Sequence, residues 1–179
     1  STLDMALSEQ VANENAQALT PLAIYDRSVQ APWKMALVTT EKSATVASSM
    51  LENGGLKFRT IDRRVQEDAF KIDWLQPNAR QVRIYHDFLQ DLRSYTEASS
   101  VMQFDYTLNS AISAPVWLQI NCGETCASDI DLSAHLKQTQ TWQTLSVDLA
   151  CFAQSATDFS KIGIPFALSS EGPLSLSLS

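Results

Sequence analysis

The sequence predicts an all-β chain, an antiparallel β-sandwich with jelly-roll connections. Three observations carry that prediction. Apolar and polar residues alternate with period two in several short runs, the mark of half-buried strands. Turn signals separate about nine such runs, and most of the five glycines and six prolines fall at turns or run ends. Helical spacing is confined to short stretches. At 179 residues and 45% hydrophobic content, the chain can bury one sizeable core, which argues against disorder.

The elements follow in order. Residues 1–20 carry helical or disordered character, and Ser8 to Leu19 is polar with few apolar anchors and ends at Thr20-Pro21. Residues 1–21 therefore read as a linker from an upstream region, and residues 22–179 as the sandwich. Trp33 to Thr40 is largely apolar and ends in β-branched residues, so it reads as a strand. Ala44 to Leu51 reads as another, closed by the turn signal Asn53-Gly54-Gly55.

Leu56 to Trp74 is the clearest unit: strand, polar turn, strand. Leu56, Phe58 and Thr60 share one face, with Lys57 and Arg59 on the other. Phe70, Ile72 and Trp74 share a face in the second run, opposite Lys71 and Asp73. The turn holds Asp62, Arg63, Arg64, Glu67 and Asp68 within seven residues. It is either a ligand site or, the favoured reading, a solvated hairpin whose Asp and Gln side chains satisfy backbone groups.

Gln76-Pro77-Asn78 makes a turn before the strand Arg80 to Tyr85. Phe88, Leu89, Leu92 and Tyr95 have helical spacing, and an irregular connection fits equally. Val101 to Leu108 alternates, with Gln103, Asp105 and Thr107 on its polar face. Val116 to Asn121 alternates again, with Trp117, Gln119 and Asn121 on the polar face. Asp129 to Leu136 suggests one helical turn. Trp142 to Phe152, Ile162 to Leu168 and Leu174 to Leu178 complete the strands, with Cys151 alone in an apolar one.

Net charge is −7 with no Lys/Arg-rich stripe, which disfavours nucleic acid and anionic membrane as partners. No apolar run approaches the roughly 20 residues of a membrane span, and no signal peptide is visible. The chain opens on Ser1, as a processed chain or a fragment would. Of the three cysteines, Cys122 and Cys126 are poorly spaced for zinc. A disulfide between them suits an exported protein; three small buried or half-buried thiols fit the sequence as well.

No Gly-rich phosphate loop or nucleophile elbow is present, and His86 and His135 have no sequence partners for a triad or a metal. Glu67 and Asp68 are adjacent and would point to opposite faces of a strand, which suits no acid/base pair. No catalytic residue and no cofactor is expected. Asp129 and Asp131 are loop candidates for a structural calcium, with oxygen-ligand spacing too loose to predict one. A sugar offers an apolar C–H face and a polar rim, so it wants an aromatic platform beside amides and carboxylates. Trp117 fits best, with Gln119 and Asn121 on its face and Gln103 and Asp105 as candidate neighbours. Packing against a partner domain is the equal alternative for Trp117, whereas Trp74 shares its face with Phe70 and Ile72 and reads as core.

Several segments in order resemble a known family: Asp26 to Trp33, Asp62 to Ala69, Trp74, Phe104 to Tyr106, Cys122 to Cys126, Trp142 to Leu145, Leu149 to Phe152 and Pro165 to Leu168. Over roughly residues 22–179 the chain resembles the C-terminal galactose-binding-like domain of bacterial family 3 glycoside hydrolases, of the exo-β-glucanase and β-glucosidase type. The resemblance implies a β-sandwich attached to a catalytic barrel and an α/β domain that hold the catalytic carboxylates. It also implies a secreted or periplasmic Gram-negative setting, and one more short strand beyond Ser179. The expected function is an accessory domain that binds β-glucan or walls the substrate cleft, with Arg27 and Gln30 reaching a bound sugar. The alternative is a purely structural domain that buttresses the catalytic domains or mediates dimer contact. A free-standing enzyme is the least supported reading.

Overall fold

The computed structural model of the chain describes residues 2–7, 21–123, 126–153 and 157–179. The described strands are β1 (Thr2–Leu7), β2 (Leu22–Asp26), β3 (Ser28–Val29), β4 (Lys34–Thr39), β5 (Ser43–Thr45), β6 (Met50–Asn53), β7 (Leu56–Ile61) and β8 (Ala69–Trp74). They continue with β9 (Ala79–Tyr85), β10 (Ser100–Leu108), β11 (Val116–Asn121), β12 (Ala127–Asp131), β13 (Gln143–Asp148), β14 (Ile164–Ser170) and β15 (Leu174–Leu178). Among the described residues two short helices, α1 (Arg93–Glu97) and α2 (Ala150–Ala153), lie between strands. No described helix is long and apolar enough to cross a membrane.

The strands form two antiparallel sheets, the predicted sandwich. One has nine strands in the order β3-β2-β1-β10-β15-β8-β7-β6, with β13 paired to β10. The other has six, in the order β12-β11-β14-β9-β4-β5. The core between them follows from the alternation. Opposed pairs Leu56–Trp74 and Phe58–Ile72 of β7 and β8 present buried residues to it. Phe104 of β10 and Phe166 of β14, one from each sheet, meet edge to face at 5.5 Å. Each such fully buried side chain contributes about 1.5–3 kcal/mol.

The charged turn between β7 and β8 is structural. The Asp68 carboxylate accepts the backbone N–H groups of Arg63 (2.7 Å), Arg64 (3.0 Å) and Val65 (3.1 Å), and Asp62 accepts that of Glu67 (2.7 Å). Burial pushes the Asp68 pKa up, but these donors outweigh it and hold the group below its ordinary value. A depressed carboxylate stabilises the fold above its unfolded pKa and stops doing so as pH falls through its folded pKa. Asp68→Asn is thus expected to be less stable than the parent at pH 7. The gap should start to narrow as pH falls below the ordinary carboxylate value of about 4 and close further toward the depressed folded value. Urea midpoints at pH 7 and pH 3 check this, and a gap that stays constant would refute it.

Several local expectations are corrected. Within residues 1–20, Thr2–Leu7 is a strand and not helical or disordered, paired to both β2 and β10. Leu3, Met5 and Leu7 alternate with Thr2, Asp4 and Ala6, a strand signal too short to stand out beside the polar stretch that follows. Residues 8–20 lie outside the described residues. Ala44 to Leu51 is not one strand: β5 belongs to the six-stranded sheet and β6 to the nine-stranded one, so the chain crosses the sandwich between them.

Phe88 and Leu89 are exposed at 75% and 58%, with helix only from Arg93. The backbone of Gln90 is pinned to Ile162, which holds that stretch out of a helix. Asp129 to Asp131 is part of the strand β12, laid along β11, and the expected turn comes later, where Leu136 N–H donates to Leu132 O. The last stretch of Trp142 to Phe152 turns into α2, and Cys151 is exposed there and not in a strand.

Candidate functional site

The outward face of the six-stranded sheet is built by the same alternation. In β9, Val82 and Ile84 are fully buried in the core, so Gln81, Arg83 and Tyr85 turn the other way. Strand register then lays outward residues in rows. One row runs Asp131, Trp117, Ser169, Gln81, Val38, Ser43. The next runs Asp129, Gln119, Ala167, Arg83, Ala36, Thr45.

A chain of hydrogen bonds crosses these rows. Arg83 Nε donates to Gln81 Oε1 at 2.7 Å. Gln81 Nε2 donates to Gln119 Oε1 at 3.1 Å and to Ser169 Oγ at 3.2 Å. Gln119 Nε2 donates to Asp129 Oδ1 at 2.6 Å. Each amide donates on one side and accepts on the other, so its orientation is set before any ligand arrives. Trp117 is half-buried at the end of this strip, between Ser169 and Asp131. Ser133 donates its hydroxyl and N–H to Asp131 and holds that carboxyl below its usual range, so it stays ionised beside the indole.

Beside the strip lies a groove of about 470 Å³, lined among others by Arg83, Tyr85, His86, Leu89 and Asn121. Ala36, the cross-strand neighbour of Arg83 on β4, is also part of its lining. Tyr85 OH is 2.9 Å from Thr45 Oγ1, and His86 Nδ1 accepts the Phe88 N–H at 2.9 Å.

Trp117, Gln119 and Asn121 thus share one open face, as the alternation predicts. Gln103 and Asp105 do not join them. Both are on β10, in the other sheet. Asp105 is occupied instead: Arg63 Nη1 lies 2.7 Å from Oδ2, and Thr144 Oγ1 donates to Oδ1 at 2.6 Å. The Arg63 guanidinium also sits 4.5 Å from the centroid of the Trp142 ring.

Arg27 is exposed and lines a separate groove of about 330 Å³ with Ser28, Phe58, Thr60 and Glu67. Gln30 turns its amide onto its own loop, donating to Asp26 O (2.9 Å) and Ser28 O (3.0 Å). Cys122 and Cys126 form a disulfide, with Cα atoms 4.9 Å apart. Asp129 and Asp131, the calcium candidates, both have polar partners. Gln119 and Ser133 engage them, and no group of three or more His, Cys, Asp or Glu gathers among the described residues.

Gln81, Arg83, Tyr85 and Ser169 escaped the sequence reading. The alternation of β9 marks the first three as outward. Only the pairing of β9 with β14, and of β14 with β11, puts them beside Trp117.

A galactose-binding domain-like family model, Exop_C, matches residues 31–179. Among solved structures, the chain is similar to the extra C-terminal domain (X) of exo-1,3/1,4-β-glucanase (ExoP) from a Pseudoalteromonas species. The TM-score there is 0.72 at 20% identity, covering 87% of each chain. Against exo-1,3/1,4-β-glucanase ExoP itself the TM-score is 0.73 at 20% identity, over 91% of this chain and 20% of that one. A family 30 carbohydrate-binding module of a Clostridium thermocellum cellulosomal cellulase matches at TM-score 0.55 and 12% identity, over 82% of this chain and 89% of that one. At these identities the likeness speaks for the fold. No curated protein matches the chain.

Proposed function

The chain belongs to the galactose-binding domain-like family Exop_C, and from that premise we propose that it is a non-catalytic accessory domain of a β-glucan-degrading family 3 glycoside hydrolase that contributes glucan binding. The observation that carries the reading is the strip on the six-stranded sheet. It is a half-buried indole at the end of a preset row of amides on an open face. An aromatic plate with a few oriented polar groups is what a pyranose needs.

The likeness to a β-glucanase's C-terminal domain and to a carbohydrate-binding module supports this choice of ligand. The parent enzyme's barrel and α/β domains are its partners in this reading. An exported setting goes with it, supported by the Cys122–Cys126 disulfide.

Calorimetric titration with β-1,3- and β-1,4-linked gluco-oligosaccharides tests it. Saturable heat is expected from the chain. Trp117→Ala should weaken binding by about 2 kcal/mol or more, roughly thirtyfold, as for other aromatic anchors. Absence of heat with every sugar would refute glucan binding and leave a buttressing role.

A further inference from the structure

Arg83 sits in the groove beside the Trp117 strip with no counter-charge among the described residues. Only two of the described arginines, Arg63 and Arg83, are not largely exposed. Arg63 has a carboxylate at 2.7 Å and an indole face against it. Arg83 has one neutral partner, Gln81 Oε1 on its Nε, and no ion pair among the described residues. Burial lowers the Arg83 pKa, a sign that the guanidinium has lost water. It keeps its charge nonetheless. A half-buried cation without a counter-charge is costly and marks functional ground.

The geometry of that cation selects a ligand. With Nε committed to Gln81, the two terminal nitrogens form an end-on fork, the shape that takes a carboxylate with two parallel bonds. Tyr85, His86 and Asn121 line the same groove with polar groups, and Leu89 adds an apolar wall. About 470 Å³ accommodates a small ligand of one or two rings. The groove is continuous with the strip through the Arg83–Gln81–Gln119 bonds and through β11, which carries both Asn121 and Trp117. The chain's net charge of −7 repels polyanions, which favours one carboxylate among neutral rings.

We propose that this groove binds the carboxylate of a uronosyl unit, so that the face prefers an acidic sugar over its neutral counterpart. The inference rests on the reading of the face as a sugar-binding surface.

The test is calorimetry on the chain with two probes, a β-1,4-linked glucosyl disaccharide and the same disaccharide ending in glucuronate. The glucuronate form should bind about tenfold tighter, and added salt should erode that ratio. Arg83→Gln should bring the ratio to about one, while Arg83→Lys, which keeps the charge and loses the fork, should leave only part of it. Equal affinities in the parent chain, or a preference that survives in Arg83→Gln, would overturn the proposal. Should Arg83→Gln fail to fold, the parent's ratio and its salt dependence still decide. Binding of both sugars with a ratio near one removes this inference and leaves the glucan reading standing. No heat from either removes both.

Discussion

Asp105→Ala is expected to destabilise the chain by about 3–5 kcal/mol. Asp105 and Arg63 form an ion pair at 2.7 Å whose side chains are exposed by only 11% and 9%. Removing the carboxylate takes the partner at 2.7 Å away from a guanidinium packed on Trp142, and takes the acceptor away from the Thr144 hydroxyl. The pair also spans elements: Arg63 follows β7, Asp105 is on β10 and Thr144 on β13. The turn that looked like a surface feature is therefore tied to the centre of the nine-stranded sheet.

Adding Arg63→Met to Asp105→Ala should recover much of the loss, because a buried ion pair is worth far less than its broken half costs. Urea denaturation of the two single variants and the double variant measures the coupling. A cost below about 1 kcal/mol for Asp105→Ala would mean that the pair behaves as an exposed one.

The second large effect is at Trp74. Its side chain is 2% exposed, and its Nε1 donates to Arg80 O at 3.0 Å. Trp74 belongs to β8 and Arg80 to β9, so this one bond joins the two sheets. Trp74→Ala should cost about 3–5 kcal/mol through lost burial and the cavity left behind. The orphaned carbonyl adds to it. Trp74→Phe keeps most of the apolar area and loses the bond, so about 1–2 kcal/mol is expected. Denaturant midpoints separate the two, and equal losses would show that packing at Trp74 matters less than its hydrogen bond.

Much of the sandwich is legible in the chain. The hairpin from Leu56 to Trp74 shows its turn, its two faces and its core residues, because consecutive strands pair locally and alternation reports burial directly. The Asp-rich turn is legible too, since short acidic side chains beside backbone N–H groups satisfy them locally. Trp117 with Gln119 and Asn121 is visible for the same reason: the three lie on one strand.

What misled was distance along the chain. Val101 to Asp105 shows the same alternation as Val116 to Asn121, which suggests that their polar faces adjoin. The strands lie in different sheets, and Asp105 serves Arg63 instead.

By itself, then, the sequence determined the fold class and the side of its strand on which each of Trp74, Phe104, Trp117 and Gln119 falls. Period-two patterning is a property of single strands and needs no partner to be seen. Only the tertiary structure decided which strands share a sheet. It set β9 and β14 beside β11, surrounding Trp117 with Gln81 and Ser169 and leaving Arg83 in a groove with no carboxylate among its described lining residues. The physical reason is that long-range pairing is chosen by the packing of whole faces against one another, and no local spacing encodes it.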